Sequence, residues 1–268
     1  MRININEKPT EVEEGLALGD VARLFKAGAD VLILNGFPAP PDTRVSDGDE
    51  LFLIRRGEIP TGEELEHLMA ARHTPGVHAR VKGASVGIAG VGGLGSAVAV
   101  ALARVGVGKL IIADFDVVEP SNLNRQQYFI DQIGMLKVEA LAENLKRINP
   151  NVTVESHAVI LSPGNIPTIF AECPILVEAF DRADMKAMLV DTVLSLMPQT
   201  TVIVASGLAG YGSNNSIITH KVSPHLYLVG DSVSEARPGS GLMAPRVGIA
   251  ASHQANQALR LILGEEEE

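Results

Sequence analysis

Apolar and polar positions divide the chain into two regions with different patterns. In residues 1–58, short alternating or apolar stretches surround one segment, residues 18–26, whose apolar positions have helical spacing. Strands are predicted at residues 2–6, 31–34 and 50–54. Strands around a single helix indicate a small α+β module.

From residue 84 onward, apolar strands alternate with amphipathic helices. The predicted strands lie near residues 85–89, 109–113, 152–156, 174–178 and 200–205. The predicted helices lie near residues 94–104, 135–148, 182–196 and 245–263. This alternation predicts the α/β class, with a doubly wound, Rossmann-like, mainly parallel sheet beside the small N-terminal domain. Two weaker strands, at residues 216–221 and 226–229, are expected to extend that sheet in antiparallel fashion.

Proline and glycine breaks separate the two regions. Residues 59–83 predict a linker with a short helix near residues 63–72, between a first domain at 1–58 and a second at 84–264. An acidic tail occupies residues 265–268. The uncharged stretch 84–103 is long enough to cross a bilayer, but its central glycines divide it into a strand and a helix. No membrane association is therefore expected.

Cysteine and charge restrict the function classes. Cys173 is the single cysteine of 268 residues, which excludes a disulfide framework, a CxxC redox pair and a four-cysteine zinc ribbon. A reducing, cytoplasmic compartment and no structural zinc are expected. The formal charge of −10 comes with no cluster of basic residues, so nucleic acid is not an expected partner.

A glycine motif follows the first strand of the second region. Gly90, Gly92, Gly93 and Gly95 fit GxGxxG between a predicted strand and a predicted helix, and Asp114 ends the next strand. Such a turn lets phosphates approach the backbone and the helix N-terminus, while the carboxylate can bind ribose hydroxyls. These residues predict a nucleotide site, but they do not separate ATP from a dinucleotide. An NAD-dependent oxidoreductase is therefore an alternative.

A long polar loop with the sequence DFDVVEPSNLNRQ occupies residues 114–126. Together with GVGGLGS at 90–96, a lysine on the next helix and an aspartate after the fourth strand, it resembles the ThiF/MoeB/HesA family from residue 84 onward. These relatives of ubiquitin-activating enzymes use ATP to adenylate the C-terminal glycine of a ubiquitin-like sulfur carrier. The resemblance implies the same activity here, with ATP and Mg²⁺ and with release of pyrophosphate.

The resemblance also implies site residues. The nucleotide would be bound by the four glycines with Asp114 and Asp116, and Gln126 would support the loop. The catalytic residues would be Asn122 and Arg125 at the phosphates, Lys137 at the α-phosphate, Asp181 as the Mg²⁺ ligand, and Arg72 reaching the ATP site of a partner in a homodimer.

Structural alternatives exist for several of these residues. Asn122 has the character of a turn residue, and Arg125 is able to tether its loop through carboxylates. Asp181 is placed to cap the helix that is predicted to begin near residue 182. Lys137 has the alternative of being merely solvated, and Arg80 competes with Arg72 for the role in the partner's site.

Two departures from the family pattern concern sulfur. The chain lacks the two CxxC pairs of several members, and residues 206–244 lack the loop cysteine of others. Cys173 is predicted to be a buried structural residue. The chain should therefore stop at the adenylate, and a separate protein would donate the sulfur.

The glycine-rich residues 206–212 are predicted to line a channel for the carrier's Gly-Gly tail. The alternative is that they are ordinary glycines of a flexible loop. Valine at Gly207 or Gly210 should then raise the KM for the carrier without changing ATP binding.

The N-terminal module resembles ThiS, the β-grasp, ubiquitin-like carrier, in MRININ, VLILNG and VSDGDELFLI. The chain continues through residues 55–58, so no free carboxylate exists, and the module is a fused, non-donor copy. With RHTPG at 72–76, the chain resembles the divergent ThiF branch of thiamine thiazole biosynthesis, whose partner is a ThiS-like carrier ending in Gly-Gly. The alternatives are a molybdopterin-type carrier, a modified tRNA, or a catalytically inactive scaffold.

Overall fold

The computed structural model describes residues 1–60, 62–73 and 76–265. It forms two compact units, Met1–Ala79 and Arg80–Glu268. The predicted acidic tail, apart from Glu265, and part of RHTPG lie outside the described residues.

The N-terminal unit is built around a five-stranded sheet. Its strands are β1 (Arg2–Ile5), β2 (Lys8–Glu11), β3 (Val31–Leu34), β4 (Phe37–Pro38) and β5 (Glu50–Ile54), and its helices are α1 (Leu18–Phe25) and α2 (Gly62–Met69). The order β2-β1-β5-β3-β4 places a parallel pair, β1 and β5, at the centre. The three predicted strands and the helix are confirmed, whereas β2 and β4 were not predicted because they are short and contain proline.

Both faces of this sheet are covered. Leu51 and Leu53 of β5 belong to the core beneath α1. Phe52 between them points to the opposite face, where it packs with Ala71 and Leu68 from the end of α2 and just beyond it. The alternation of side chains along β5 thus supplies two separate cores.

The second unit contains a seven-stranded sheet with the order β11-β12-β10-β9-β6-β7-β8. The strands are β6 (Ser85–Ala89), β7 (Lys109–Ala113), β8 (Thr153–His157), β9 (Ile175–Glu178), β10 (Thr201–Ala205), β11 (Ile218–Ser223) and β12 (Leu226–Gly230). The helices are α3 (Val77–Lys82), which begins within the first unit, α4 (Gly93–Val105), α5 (Lys137–Ile148), α6 (Ile166–Ile169), α7 (Ala183–Leu196) and α8 (Ala244–Ile262). The predicted Rossmann-like α/β class is confirmed.

One strand runs opposite to its predicted direction. β12 pairs in parallel with β10, and only β11 is antiparallel to its neighbour, β12. The turn after β11 makes a hairpin, and the second strand of that hairpin, not the first, inserts next to β10. The sequence indicates the hairpin but not which of its strands joins the sheet.

The carboxyl ends of the parallel strands define where ligands bind. The chain reverses its direction of strand addition at β6, which lies between β7 and β9. Ligands of doubly wound sheets bind in the crevice at this switch point. No described helix combines the length and apolar character that crossing a membrane requires.

Candidate active site

The loop after β6 depends on glycine at two positions. Gly90 has a φ of +87°, and a Cβ atom on it would lie 3.0 Å from the carbonyl oxygen of Ala179. A Cβ atom on Gly95 would overlap the carbonyl oxygen of Gly90. The first glycine permits the turn, and the last permits the close approach of α4 to β6.

The N-terminus of α4 is open to an anion. Gly92 is the N-cap, no side chain caps the helix, and no acidic residue occupies its first turn. The first backbone N–H groups of a helix have no intrahelical acceptor and lie at the positive end of its dipole. This terminus can therefore bind a phosphate group.

Asp114 lies beside this loop, at the end of β7. One carboxylate oxygen accepts a hydrogen bond from the Val91 N–H at 2.8 Å, and the other accepts from the Asp116 N–H at 2.9 Å. The two bonds fix the orientation of the carboxylate. Each oxygen has a second lone pair, which is the requirement for binding a ribose hydroxyl.

Hydrogen bonds join the glycine loop to the two residues that follow the polar loop, Gln127 and Tyr128. The Tyr128 hydroxyl donates to the Val91 carbonyl oxygen at 2.7 Å. The Ser96 hydroxyl donates to the Gly92 carbonyl oxygen at 2.6 Å and accepts from the Gln127 N–H at 3.1 Å. Burial, and then the charges of nearby carboxylates, raise the pKa of Tyr128, so its hydroxyl stays protonated as the donor.

Arg125 and Gln126 lie over the glycines. A Cβ atom on Gly93 would be 3.5 Å from Cγ of Arg125, and one on Gly92 would be 3.7 Å from Nε2 of Gln126. Oε1 of Gln126 is buried and accepts no hydrogen bond from a described residue. The glycine loop and the NRQ segment, separated in sequence, therefore form one surface.

The guanidinium of Arg125 tethers its loop, but not through carboxylates. Nη1 donates to the Ser121 carbonyl oxygen at 3.1 Å and to Oδ1 of Asn124 at 2.8 Å. Since both acceptors are neutral, the positive charge of Arg125 is not cancelled by them. The alternative of carboxylate tethering was wrong.

Asn122 is buried in a 3₁₀ turn, Pro120–Asn122. Its Oδ1 accepts a hydrogen bond from the Glu119 N–H at 3.1 Å. This is the turn role considered from the sequence. Its contact with a phosphate stays a prediction.

Lys137 and Asp116, both predicted from the sequence, form an ion pair. Nζ of Lys137 lies 2.8 Å from Oδ2 of Asp116, and the lysine side chain is 8% exposed while the aspartate side chain is 47% exposed. Lys137 is the first residue of α5, where the helix dipole disfavours a cation. Its ammonium is held in a buried position by one exposed carboxylate.

Asp181 follows β9 and is exposed. The alternative that it caps α7 was wrong, because the helix begins at Ala183 with Arg182 as the N-cap and no side-chain cap. The neighbouring Phe180 has Cδ1 3.2 Å from the position of a Cβ atom on Gly90, so this segment adjoins the glycine loop.

The structure permits a test of whether these residues suit Mg²⁺. No three His, Cys, Asp or Glu side chains in the described part of the chain are grouped as metal ligands. The carboxylate of Asp181 is exposed and accepts no hydrogen bond from a described residue. Mg²⁺ in nucleotide sites commonly uses one or two carboxylates, substrate phosphates and water. The residues therefore fit a magnesium ion that arrives with a nucleotide.

Comparison with known proteins decides the family. The profile of the ThiF family matches residues 66–268, and that of the ThiS-like ubiquitin family matches residues 1–57. The chain belongs to the ThiF family. Relatives include the adenylyltransferase and sulfurtransferase UBA4 of Candida glabrata, 34% identical over 69% of this chain and 44% of the relative. Ubiquitin-like modifier-activating enzyme 5 of Drosophila mojavensis is 36% identical over 56% of this chain and 38% of the relative.

The chain spans less than half the length of these curated relatives. Among solved structures, E. coli tRNA N6-threonylcarbamoyladenosine dehydratase, TcdA, in complex with ATP has a TM-score of 0.66 and 22% identity, over 74% of this chain and 93% of that one. E. coli MccB with ATP has a TM-score of 0.53 and 24% identity, over 77% of this chain and 60% of that one. These two likenesses show the shared fold.

Glu178 is a site residue that sequence reasoning missed. Its carboxylate is fully buried, lies 2.9 Å from Nζ of Lys186, and accepts hydrogen bonds from the Phe180 N–H at 2.7 Å and the Ala205 N–H at 3.3 Å. Burial raises its pKa, against the effect of Lys186. The available signal was a carboxylate at the end of an otherwise apolar strand. Through Phe180 and Ala205, Glu178 connects the segment that contains Asp181 with the residue that precedes 206–212.

Residues 206–212 are closely packed. Gly207 and Gly210 both have a φ of +78°. A Cβ atom on Gly207 would overlap Oδ1 of Asp231, and one on Gly210 would lie 2.5 Å from Oγ of Ser240. Valine at either position would therefore displace the loop, so the predicted selective effect on the carrier's KM is not a clean test of a channel.

The structure also locates three other residues considered from the sequence, Cys173, Arg80 and Arg72. Cys173 is 1% exposed and burial raises the pKa of its thiol to about 11, which confirms that it is a buried residue and not a reactive thiol. Arg80 donates to the Leu263 carbonyl oxygen at 2.6 Å, at the end of α8. Arg72 is exposed in the N-terminal unit, and its role in a partner's site stays a prediction.

Proposed function

We propose that this chain is an adenylyltransferase that uses Mg²⁺ and ATP to activate the C-terminal glycine of a ubiquitin-like sulfur carrier. One observation supports this most directly: Arg125 and Gln126 lie against the glycine loop, beside the uncapped N-terminus of α4. A cation next to free N–H groups suits a triphosphate, and hydride transfer has no use for such a loop.

The reaction follows from this arrangement. A carboxylate oxygen of the carrier attacks the α-phosphorus of ATP, the bond from that phosphorus to the pyrophosphate oxygen breaks, and pyrophosphate leaves. The nucleophile is already an anion, so no general base is needed. Arg125 and Lys137 would stabilise the charge that develops on the phosphate oxygens. Mg²⁺ bound by Asp181 would contribute further charge stabilisation.

Lys137 has a structural reason to respond to ATP. Its counter-ion, Asp116, is half exposed, so this ion pair is partly screened by water. A phosphate near the buried ammonium offers a second anion at short range. Lys137 can therefore turn toward the α-phosphate without leaving a buried carboxylate unpaired.

The proposed carrier is a ThiS-type protein ending in Gly-Gly, in thiamine thiazole biosynthesis, and the enzyme would be a cytoplasmic homodimer. The match of residues 1–57 to the ThiS-like ubiquitin family supports this branch. The absence of cysteine from residues 206–244 supports a separate sulfur donor. A molybdopterin-type carrier and a modified tRNA are the competing acceptors, and the charge of −10 disfavours tRNA.

The test is exchange of labelled pyrophosphate into ATP, dependent on a purified ThiS-type carrier. Arg125→Ala and Asp181→Ala should each lower the exchange rate about 100-fold, because each removes charge stabilisation at the phosphates. Arg104→Ala is the matched control, since this exposed arginine lies in the last turn of α4. Full exchange in both site variants would contradict the assignment of these residues.

The same preparation separates the alternatives. Pyrophosphate exchange with a molybdopterin-type carrier or a modified tRNA, and not with the ThiS-type carrier, would change the acceptor. Calorimetric binding of NAD without binding of ATP would favour an oxidoreductase. No exchange with any acceptor would favour an inactive scaffold.

A further inference from the structure

Arg246 lies where its charge is disfavoured. It occupies the first turn of α8, which begins at Ala244, and the positive end of the helix dipole opposes a cation there. It is also only 4% exposed. Burying a guanidinium is costly unless its surroundings compensate it, so its contacts must account for it.

Those contacts join two loops. Nη1 donates to the Ser213 carbonyl oxygen at 3.0 Å, and Nη2 donates to Oγ of Ser216 at 3.1 Å and to Oδ2 of Asp231 at 2.6 Å. Ser213 and Ser216 follow β10, whereas Asp231 follows β12. The guanidinium therefore holds together the chain segments that leave two neighbouring parallel strands.

Asp231 is itself fixed on both oxygens. Oδ1 accepts the Val233 and Ser234 N–H groups at 2.9 and 2.8 Å, and Oδ2 accepts the Ser234 hydroxyl. Although burial raises the pKa of Asp231, these hydrogen bonds and the charge of Arg246 lower it to about 2. The carboxylate is thus ionised throughout the neutral range.

This ion pair adjoins both parts of the candidate site. Nη1 of Arg246 lies 3.5 Å from the position of a Cβ atom on Gly212, and a Cβ atom on Gly207 would overlap Asp231. The next residue of α8, Val247, has Cγ1 3.2 Å from the position of a Cβ atom on Gly93. The first turn of α8 thus touches the glycine loop, while the ion pair contacts residues near both ends of 206–212.

We infer that Arg246 and Asp231 are positioning residues that set residues 206–212 relative to the glycine loop and so shape the path of the carrier's tail. The inference rests on the proposed function and on the prediction that residues 206–212 line the channel for the carrier's tail. Apolar side chains would fill the same space at least as stably, since buried ion pairs seldom exceed well-packed apolar groups in stability. The pair instead specifies one arrangement of the two loops.

The decisive variant is Arg246→Met/Asp231→Asn, which removes both charges and nearly preserves side-chain volume. In the exchange assay with a ThiS-type carrier, the KM for the carrier should rise about tenfold or more while the KM for ATP stays within about twofold. Arg246→Lys should give an intermediate KM, because one ammonium cannot replace the planar fork that reaches three acceptors. Arg246→Met alone would leave the Asp231 carboxylate without its counter-ion, so a lower melting temperature is expected.

Arg237→Met is the matched control, because it removes one exposed positive charge from the same region and should not change either KM. An unchanged carrier KM in the folded double variant would overturn the inference and leave the proposed function standing. An equal rise in both KM values would also overturn it, since it would indicate general disorder at this edge. Absence of exchange in the unmodified chain with every carrier would overturn the proposed function and the inference together.

Discussion

Two lysines beside the site are paired with carboxylates in opposite ways. The Lys137 side chain is 8% exposed and its partner Asp116 is 47% exposed, whereas Lys186 is 24% exposed and its partner Glu178 is fully buried. In the first pair the cation is buried and the anion faces water. In the second pair the anion is buried and the cation is the more exposed partner. The first pair suits a lysine that changes partner, and the second suits a permanent link.

The second pair predicts a pH-dependent stability difference. Lys186→Met would leave the Glu178 carboxylate buried without a counter-ion and should lower the free energy of unfolding by about 3–5 kcal/mol at pH 8. Burial already raises the pKa of Glu178, and loss of Lys186 raises it further. The native state then binds more protons than the unfolded state, so the variant should regain stability as the pH falls toward 5.

Urea unfolding of the unmodified chain and of the Lys186→Met variant between pH 8 and pH 5 measures how their stability difference depends on pH. Lys186→Met/Glu178→Gln is the control, because it has no buried carboxylate and should show no such recovery. A stability difference that stays constant with pH would contradict the assignment of the buried charge.

At the scale of elements, most of the second unit was predictable. The strands β6 to β10 begin and end within one residue of their predicted bounds, because buried parallel strands are apolar runs bounded by turn residues. The position of β12 was not predictable, since strand order depends on contacts distant in sequence. Contacts distant in sequence also explain which site residues could be predicted and which could not. Motifs indicated Asp114 and Lys137, but Tyr128 and Arg246 act through partners distant in sequence.

The glycine loop predicts two different outcomes for one substitution. Gly95→Ala would push a methyl group into the Gly90 carbonyl oxygen, and because that oxygen belongs to the backbone, α4 would have to move. The free energy of unfolding should fall by about 3 kcal/mol. A Cβ atom on Gly92 would meet only Nε2 of Gln126 at 3.7 Å, an ordinary contact.

Gly92→Ala should therefore lower the melting temperature less than Gly95→Ala does but weaken ATP binding about tenfold, since its methyl group lies on the surface offered to phosphate. Differential scanning fluorimetry and isothermal titration calorimetry measure the two quantities. Equal loss of stability in both variants would contradict the distinction between a packing glycine and a ligand-facing glycine.

At the scale of the whole molecule, each unit has a core of its own. Residues of the N-terminal unit make two buried clusters, and the second unit buries its sheet with its own helices. Such units commonly fold separately. The ThiS-like part also continues past Gly57, so the carbonyl of that glycine is in a peptide bond with Glu58.

The full chain alone is therefore expected to show no exchange of pyrophosphate into ATP until a separate carrier is added. The measurement is the exchange assay with and without the carrier, and a carrier lacking its last two glycines is the control. Exchange by the chain alone would show that it activates a carboxylate of its own, contrary to the non-donor assignment.

The covered sheet of the N-terminal unit leaves only its edges for another strand to join. The edge strand β2 contains Lys8, Pro9 and Glu11, and the edge strand β4 consists of Phe37 and Pro38 alone. Proline lacks an N–H donor, and charged or very short edges pair poorly with incoming strands. The N-terminal unit thus resists β-sheet addition at both edges, so edge-to-edge aggregation through this sheet is disfavoured at high concentration.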